Sequence, residues 1–242
     1  MKLRVASYNV HGFVGTDGAR DVKRVADGIL KMDAHGVGLQ EVPFERTPDG
    51  NLAPSRLLEQ LPGYVAVSAP IERHDGVWHG NAFVTPHKIV RFESLNLSYS
   101  RREPRTALDV ELSVEGHSCR IITTHLGLRP VERRYQVRAL LAHLAREPDA
   151  MTVLLGDFNE WFLVGRPLRW LESYFGRGRA LATFPSRYPL LALDRIWVHP
   201  RSRLIESRVL RGAPYKVASD HLPLVVELSW NPGTNTDHAR SS

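Results

Sequence analysis

Five short strings carry the residues of this chain that could do chemistry, in a fixed order from one end to the other. They are Ser7-Tyr8-Asn9-Val10, Leu39-Gln40-Glu41-Val42, Thr124-His125-Leu126, Gly156-Asp157-Phe158-Asn159 and Ser219-Asp220-His221. Each polar residue follows, or is embedded in, a β-like apolar run. Strand ends converging in space would gather Asn9, Glu41, His125, Asp157, Asn159, Asp220 and His221 into one site. Three hard carboxylates, two amides and two imidazoles form the donor set that a divalent cation and a phosphoester require.

Glu41 emerges from the apolar run Val37-Gly38-Leu39-Gln40, where a carboxylate is costly unless paired or metal-bound. Asp157 and Asn159 are two apart. In an extended segment both would face one side and could grip a phosphate and its attacking water. Gly156 before them permits close approach or an unusual backbone angle. His221 can act as a base or hold a phosphate oxygen, and needs an orienting partner. Asp194, an acid in the apolar run Leu193-Asp194-Arg195-Ile196-Trp197, is the best candidate, although Arg195 offers it an ordinary ion pair. Three segments could line a cleft: 73–79, 100–105, and 177–179 continuing through 185–187. Within and beside them, His79, Asn81 and Arg105 are the candidate substrate contacts.

The elements that must position these residues are legible in the periodicity. Residues 3–10 alternate as a strand, 21–34 read as a helix with Val22, Val25, Ile29 and Leu30 on one face, and 37–42 are a second strand. A polar loop with an Asp49-Gly50 turn covers 43–53, and a short helix follows over 54–61. Strands are predicted over 64–69, 81–85, 89–97, 106–114 and 119–124, with a hairpin turn at 115–118. Pro130 opens a helix to about Arg146. Val137, Leu140, Leu141 and Leu144 form its stripe, and Arg133, Arg134 and Arg138 read as its solvated face. A strand over 151–155, a helix over 168–174, and strands over 193–198, 204–210 and 222–228 complete the pattern. The expectation is one α/β domain over 1–230, built from two sheets packed face to face with helices outside, and a disordered tail over 231–242.

The chain has 242 residues and a formal charge of +6. Of its 32 basic residues five are lysine and the other 27 arginine, a bias that suits phosphate oxygens. The one cysteine, Cys119, excludes an internal disulfide and a thiolate zinc site, and reads as a buried strand residue. No apolar run approaches a bilayer span, and the first strand begins almost at Met1 with no secretory h-region before it. A cytoplasmic monomer is expected.

Taken in order, with Asp194 between the fourth string and the fifth, the five strings resemble the endonuclease/exonuclease/phosphatase superfamily over about residues 3–230. The resemblance implies a deoxyribonuclease I-like four-layer α/β sandwich and a Mg²⁺-dependent phosphoesterase, with Mn²⁺ as a possible substitute. It implies Glu41 as principal metal ligand with Asn9 beside it, and Asp220 as a further metal-side acid. Asp157 and Asn159 match the water-orienting acid and the transition-state amide. Asp194 and His221 match the Asp–His pair, and His125 a phosphate-contacting histidine. The superfamily's substrates are diverse, so the fold leaves the substrate open. Nucleic acid is favoured on charge, with phospholipid head groups or other small phosphoesters as the alternative and an inactive binding module as a distant third. Whether Asp157 or His221 takes the water proton is open.

Overall fold

A computed structural model describes residues 2–72, 76–148 and 150–230. The tail expected to be disordered, and residues 73–75 of the first candidate cleft segment, lie outside the described residues. In chain order the elements are β1 (Lys2–Asn9), α1 (Val22–Met32), β2 (Gly36–Pro43), β3 (Glu45–Arg46), β4 (Leu52–Ala53), α2 (Ser55–Leu58), β5 (Val65–Glu72), β6 (Trp78–Thr85), β7 (Lys88–Asn96), β8 (Thr106–Val114) and β9 (His117–His125). They continue with α3 (Pro130–Leu144), β10 (Thr152–Asp157), α4 (Arg166–Phe175), β11 (Asp194–His199), β12 (Leu204–Val209), α5 (Tyr215–Ala218) and β13 (Leu224–Ser229).

Two mixed sheets hold the molecule together. One has the order β12-β13-β1-β2-β6-β5 and the other β11-β10-β9-β8-β7. In each, the two central strands run parallel, β1 with β2 and β9 with β10, while the flanking pairs are antiparallel. Period-two alternation sorts the side chains into three apolar layers. Val5, Phe83, Ile121, Leu155, Ile196 and Val226 fill the space between the sheets. Their neighbours Tyr8, Ala82, Val84 and Val225 pack outward against Val25 and Ile29 of α1. Ile122, Leu154 and Trp197 pack outward against Val137 and Leu140 of α3 and Leu168 and Leu171 of α4. The architecture is therefore helix, sheet, sheet, helix, the expected deoxyribonuclease I-like sandwich.

Local chemistry explains most boundaries. Asp21 caps α1 by accepting from the Arg24 amide at 2.9 Å, and Asp33 ends it in a left-handed conformation. The β8–β9 hairpin turns on Glu115 and Gly116, both at positive φ. Three readings needed correction. The expected loop over 43–53 contains the small β3–β4 hairpin. The helix after Pro54 is only Ser55–Leu58. The solvated face assigned to α3 fails at Arg133, which is buried against a buried Glu160, whereas Arg138 is exposed and stacks on Trp170.

Candidate active site

The site lies where the ends of the central strands meet across the two sheets. Asn9 closes β1, and its register partner on β2 is Gln40. Asp157 closes β10, where it pairs with His125 on one side and Asp194 on the other. The Asn9 amide joins the sheets, with Nδ2 donating to Glu41 Oε1 at 3.0 Å and to Asp157 Oδ2 at 3.1 Å. Below them Gln40 Nε2 donates to Thr123 Oγ1 at 2.9 Å, a second polar bridge between the sheets.

Two irregularities aim the carboxylates. The ladder between β2 and β6 shifts between Leu39 and Val42, and Glu41 within that bulge has φ 58°. A bulge re-aims one side chain, here into the cavity. Gly156 has φ 147°, and a Cβ there would collide with the Thr124 carbonyl oxygen. The segment 157–159 is not extended as expected. Asn159 is left-handed at φ 49°, and its amide donates to Asp157 Oδ1 at 2.9 Å. This tight turn still brings both side chains to one site, with Asn159 Nδ2 3.0 Å from His125 Nε2 and 2.9 Å from the Leu126 carbonyl.

His221 and Asp194 form the expected pair. His221 Nδ1 is 2.8 Å from Asp194 Oδ2, which also accepts from Thr183 Oγ1 at 2.5 Å. Arg195 does not compete for Asp194, since its Nε donates to the Ala192 carbonyl. The other ring nitrogen, His221 Nε2, stands 3.7 Å from Asp157 Oδ2. Burial alone would lower the His221 pKa. The charges of Asp194 and Asp157 outweigh it, and the net shift is upward. Burial pushes Asp157 up, against the opposing influence of His221. His125 is shifted the other way: burial, then the Arg105 guanidinium, hold it well below the ordinary histidine range. One ring nitrogen faces the Arg105 Nη1 donor at 3.3 Å, and the other, Nε2, stands 3.0 Å from Asn159 Nδ2 and 3.6 Å from Asp157 Oδ2.

Glu41, His125, Asp157, Asn159 and His221 line a cavity of about 830 Å³ together with His79, Arg105, Trp161 and Phe184. Its rim carries Glu72 and Glu103 as well as Glu41. Arg105 is buried and held by Glu103 at 2.8 Å. Asn81 sits beneath the cavity floor, where its amide donates to the Thr106 carbonyl at 2.8 Å. Asp220 lies beside the cluster, close enough that its charge acts on His221. It is not among the cavity-lining residues, and its carboxylate lies 3.7 Å from His11 Nδ1. Sequence reasoning missed Thr183, Trp161, Phe184 and the structural role of Ser219, whose hydroxyl donates to the Asn9 carbonyl at 2.7 Å and accepts from the His221 amide at 3.1 Å. Only Ser219 had a signal, its place inside the fifth string.

The donor chemistry decides where a cation could sit. The donor atoms of Asp157, Asp194 and His221 lie within 4.8 Å of one another, as do those of Glu93, Asp109 and His143. In the first set His221 is already hydrogen-bonded to Asp194, and Asp157 stands 3.7 Å from the other ring nitrogen. In the second, Arg120 Nη2 stands 2.6 Å from Asp109 Oδ2, so a guanidinium occupies the cation's place. Glu41 differs. Its carboxylate is half-exposed to the cavity, has an amide as its hydrogen-bond partner, and stands beside Asp157 through that shared amide. An all-oxygen set of this kind fits a hard divalent cation.

A sequence profile described as the endonuclease/exonuclease/phosphatase family matches residues 6–221. The chain belongs to that family. It is 31% identical over 249 residues to the uncharacterized protein YbhP of Escherichia coli, covering 93% of this chain and 96% of YbhP. The fold is similar to an endonuclease/exonuclease/phosphatase from Beutenbergia cavernae, with TM-score 0.76, 24% identity, and coverage of 94% of this chain and 71% of that one. It is also similar to a mannosyl-6-phosphatase of Bacteroides thetaiotaomicron, with TM-score 0.69, 21% identity, and coverage of 94% of this chain and 100% of that one. Family members are hydrolases of phosphoesters and are metal-dependent.

Proposed function

We propose that the protein is a Mg²⁺- or Mn²⁺-dependent phosphodiesterase. The observation that carries this reading is the Asn9 amide, which ties the metal-competent Glu41 on one sheet to the buried Asp157 on the other. A divalent cation held by Glu41 would neutralise charge developing on the phosphate oxygens. Asn9 and the Asn159 amide hold Asp157 in one orientation, leaving it to align the attacking water and accept its proton. His221, held by Asp194 and kept protonated by the two carboxylates, presents Nε2–H to a phosphoryl oxygen. Asn159 and the neutral His125 add donors at the same place. The water oxygen forms the new P–O bond as its proton passes to Asp157, the ester P–O bond breaks, and the leaving oxygen takes a proton from solvent water.

The cavity takes one phosphodiester group with its substituents. Nucleic acid is the second reading, supported by the exposed Arg101 and Arg102 next to Glu103 and Arg105 of the rim.

The test is hydrolysis of bis(p-nitrophenyl) phosphate with chelator and with Mg²⁺ or Mn²⁺ restored. Asp157→Asn and His221→Ala should each lose at least ~100-fold in kcat, with circular dichroism unchanged. Full turnover in excess chelator, or variants within a few-fold of wild type, would remove the metal or that residue from the mechanism.

A further inference from the structure

The loop between β10 and α4 exposes four consecutive large apolar side chains, Trp161, Phe162, Leu163 and Val164, at 59%, 69%, 61% and 74%. Monomeric surfaces seldom leave such a run uncovered. The loop is not slack. The Gly165 amide closes a tight turn onto the Phe162 carbonyl at 3.0 Å. The Phe162 amide donates to Glu160 Oε1 at 3.3 Å, and Glu160 is locked in a buried ion pair with Arg133 at 3.1 Å. Arg133 also donates to the Leu128 carbonyl at 2.7 Å, which ties the exposed Leu128 to the same platform. A second exposed apolar tip, Tyr188 and Leu190, rises from the short loop that brings Phe184 to the cavity. Trp161, Leu128 and Phe184 all line the catalytic cavity, so both tips stand at its mouth.

The exposed charge on the segments that carry the tips is one-signed, while the cavity's carboxylates Glu41, Glu72 and Glu103 lie on other segments. Segments 126–135, 160–170 and 184–191 contain two acids, Glu132 and Glu160, and both are buried. The exposed charges on these segments are Arg129, Arg166, Arg169 and Arg187. Arg166 and Arg169 open α4 immediately after the apolar turn. A convex apolar tip with a cationic collar is complementary to an anionic lipid surface, whose interior takes the apolar side chains and whose phosphates take the arginines.

We propose that the cavity mouth docks on an anionic phospholipid bilayer through Trp161–Val164 and Tyr188–Leu190, so that the substrate is a phosphodiester of a membrane lipid. The docking surface stands on its own geometry; the substrate assignment rests on the phosphodiesterase reading. Burial of one side chain of this size shifts partitioning about tenfold or more. Each arginine at an anionic surface shifts it about fivefold.

The experiment has a binding arm and a turnover arm, both on the full chain. Binding is measured by co-sedimentation with vesicles of phosphatidylcholine, alone or with one quarter phosphatidylglycerol, in chelator so that nothing is hydrolysed. Wild type should bind the anionic vesicles. The F162S/L163S/V164S variant should bind at least ~10-fold more weakly, and R166Q/R169Q roughly 25-fold more weakly. With Mn²⁺ the serine variant should lose at least ~10-fold on vesicle lipid and keep its kcat/KM on the soluble diester. Failure of wild type to bind at millimolar lipid, or equal binding by the serine variant, overturns the docking surface. Duplex DNA bound in place of vesicles, indifferent to the serine changes, would overturn it in favour of a nucleic-acid surface. Vesicle binding with turnover of the soluble diester alone overturns the lipid substrate. Vesicle binding with no turnover of any phosphodiester supports the docking surface and refutes the phosphodiesterase reading instead.

Discussion

Glu160→Ala is the most demanding test of how the site is supported. Glu160 follows Asn159 directly, and its carboxylate accepts from Arg133 Nε at 3.1 Å and Nη2 at 3.2 Å. The two side chains are 3% and 4% exposed, so little solvent screens the pair. Removing Glu160 leaves a guanidinium buried with the Gly127 and Leu128 carbonyls as its remaining partners. Breaking one half of a buried ion pair costs about 3–5 kcal/mol. The two carbonyls place the expected loss near the lower end, about 3 kcal/mol. That is a large part of the roughly 5–15 kcal/mol that holds a typical fold. For a chain of this size it corresponds to about 6–12 °C in Tm. The double change Arg133→Met with Glu160→Leu removes both charges. It leaves the two carbonyls short of donors and the Phe162 amide without its acceptor, at about 1–3 kcal/mol. Urea unfolding followed by circular dichroism gives all three values at neutral pH, and added salt should change them little. The reasoning is refuted if Glu160→Ala costs less than about 1 kcal/mol, or if the double variant loses the sum of the two single variants.

Three further outcomes follow from other parts of the molecule. Gly156→Ala forces a side chain into a glycine-only conformation against the Thr124 carbonyl, so at least ~1–3 kcal/mol and the Asp157 geometry should be lost together, read by unfolding and by turnover. Cys119, buried and with its thiol pushed up to about 12, should resist dithionitrobenzoate at pH 8 in the native protein and react on unfolding. Burial works to raise the Asp109 pKa, but hydrogen bonds from His143 and Arg120 outweigh it and the net shift is downward. The unfolded state therefore binds this proton first as pH falls. The stability Asp109 contributes is full above the ordinary carboxylate range and disappears below its folded value. The gap between wild type and Asp109→Asn in urea should narrow steadily below about pH 4.

Local pattern reveals what depends on neighbours along the chain, and here that was most of the scaffold. Strand alternation in Leu3–Asn9, Thr106–Val114 and Cys119–Thr124, the cap at Asp21 and the turn at Glu115-Gly116 are written in adjacent residues, because sheet and helix periods are local. The five strings and Asp194 named the groups that meet in the cavity, since an acid or imidazole at the end of an apolar strand has few other reasons to be there. The fold decided what depends on partners far away in sequence. Arg133 reads as a solvated helix residue because nothing near it in sequence announces Glu160, 27 positions on. Asn159 left the extended path because its backbone amide found the Asp157 carboxylate. Asp220, legible as a site acid, stands 3.7 Å from His11 Nδ1, a contact that nothing near it in sequence announces. Nothing in the local pattern marked Trp161–Val164, which packing left in water at the mouth of the site, because the turn that carries it is anchored by a buried ion pair at Glu160.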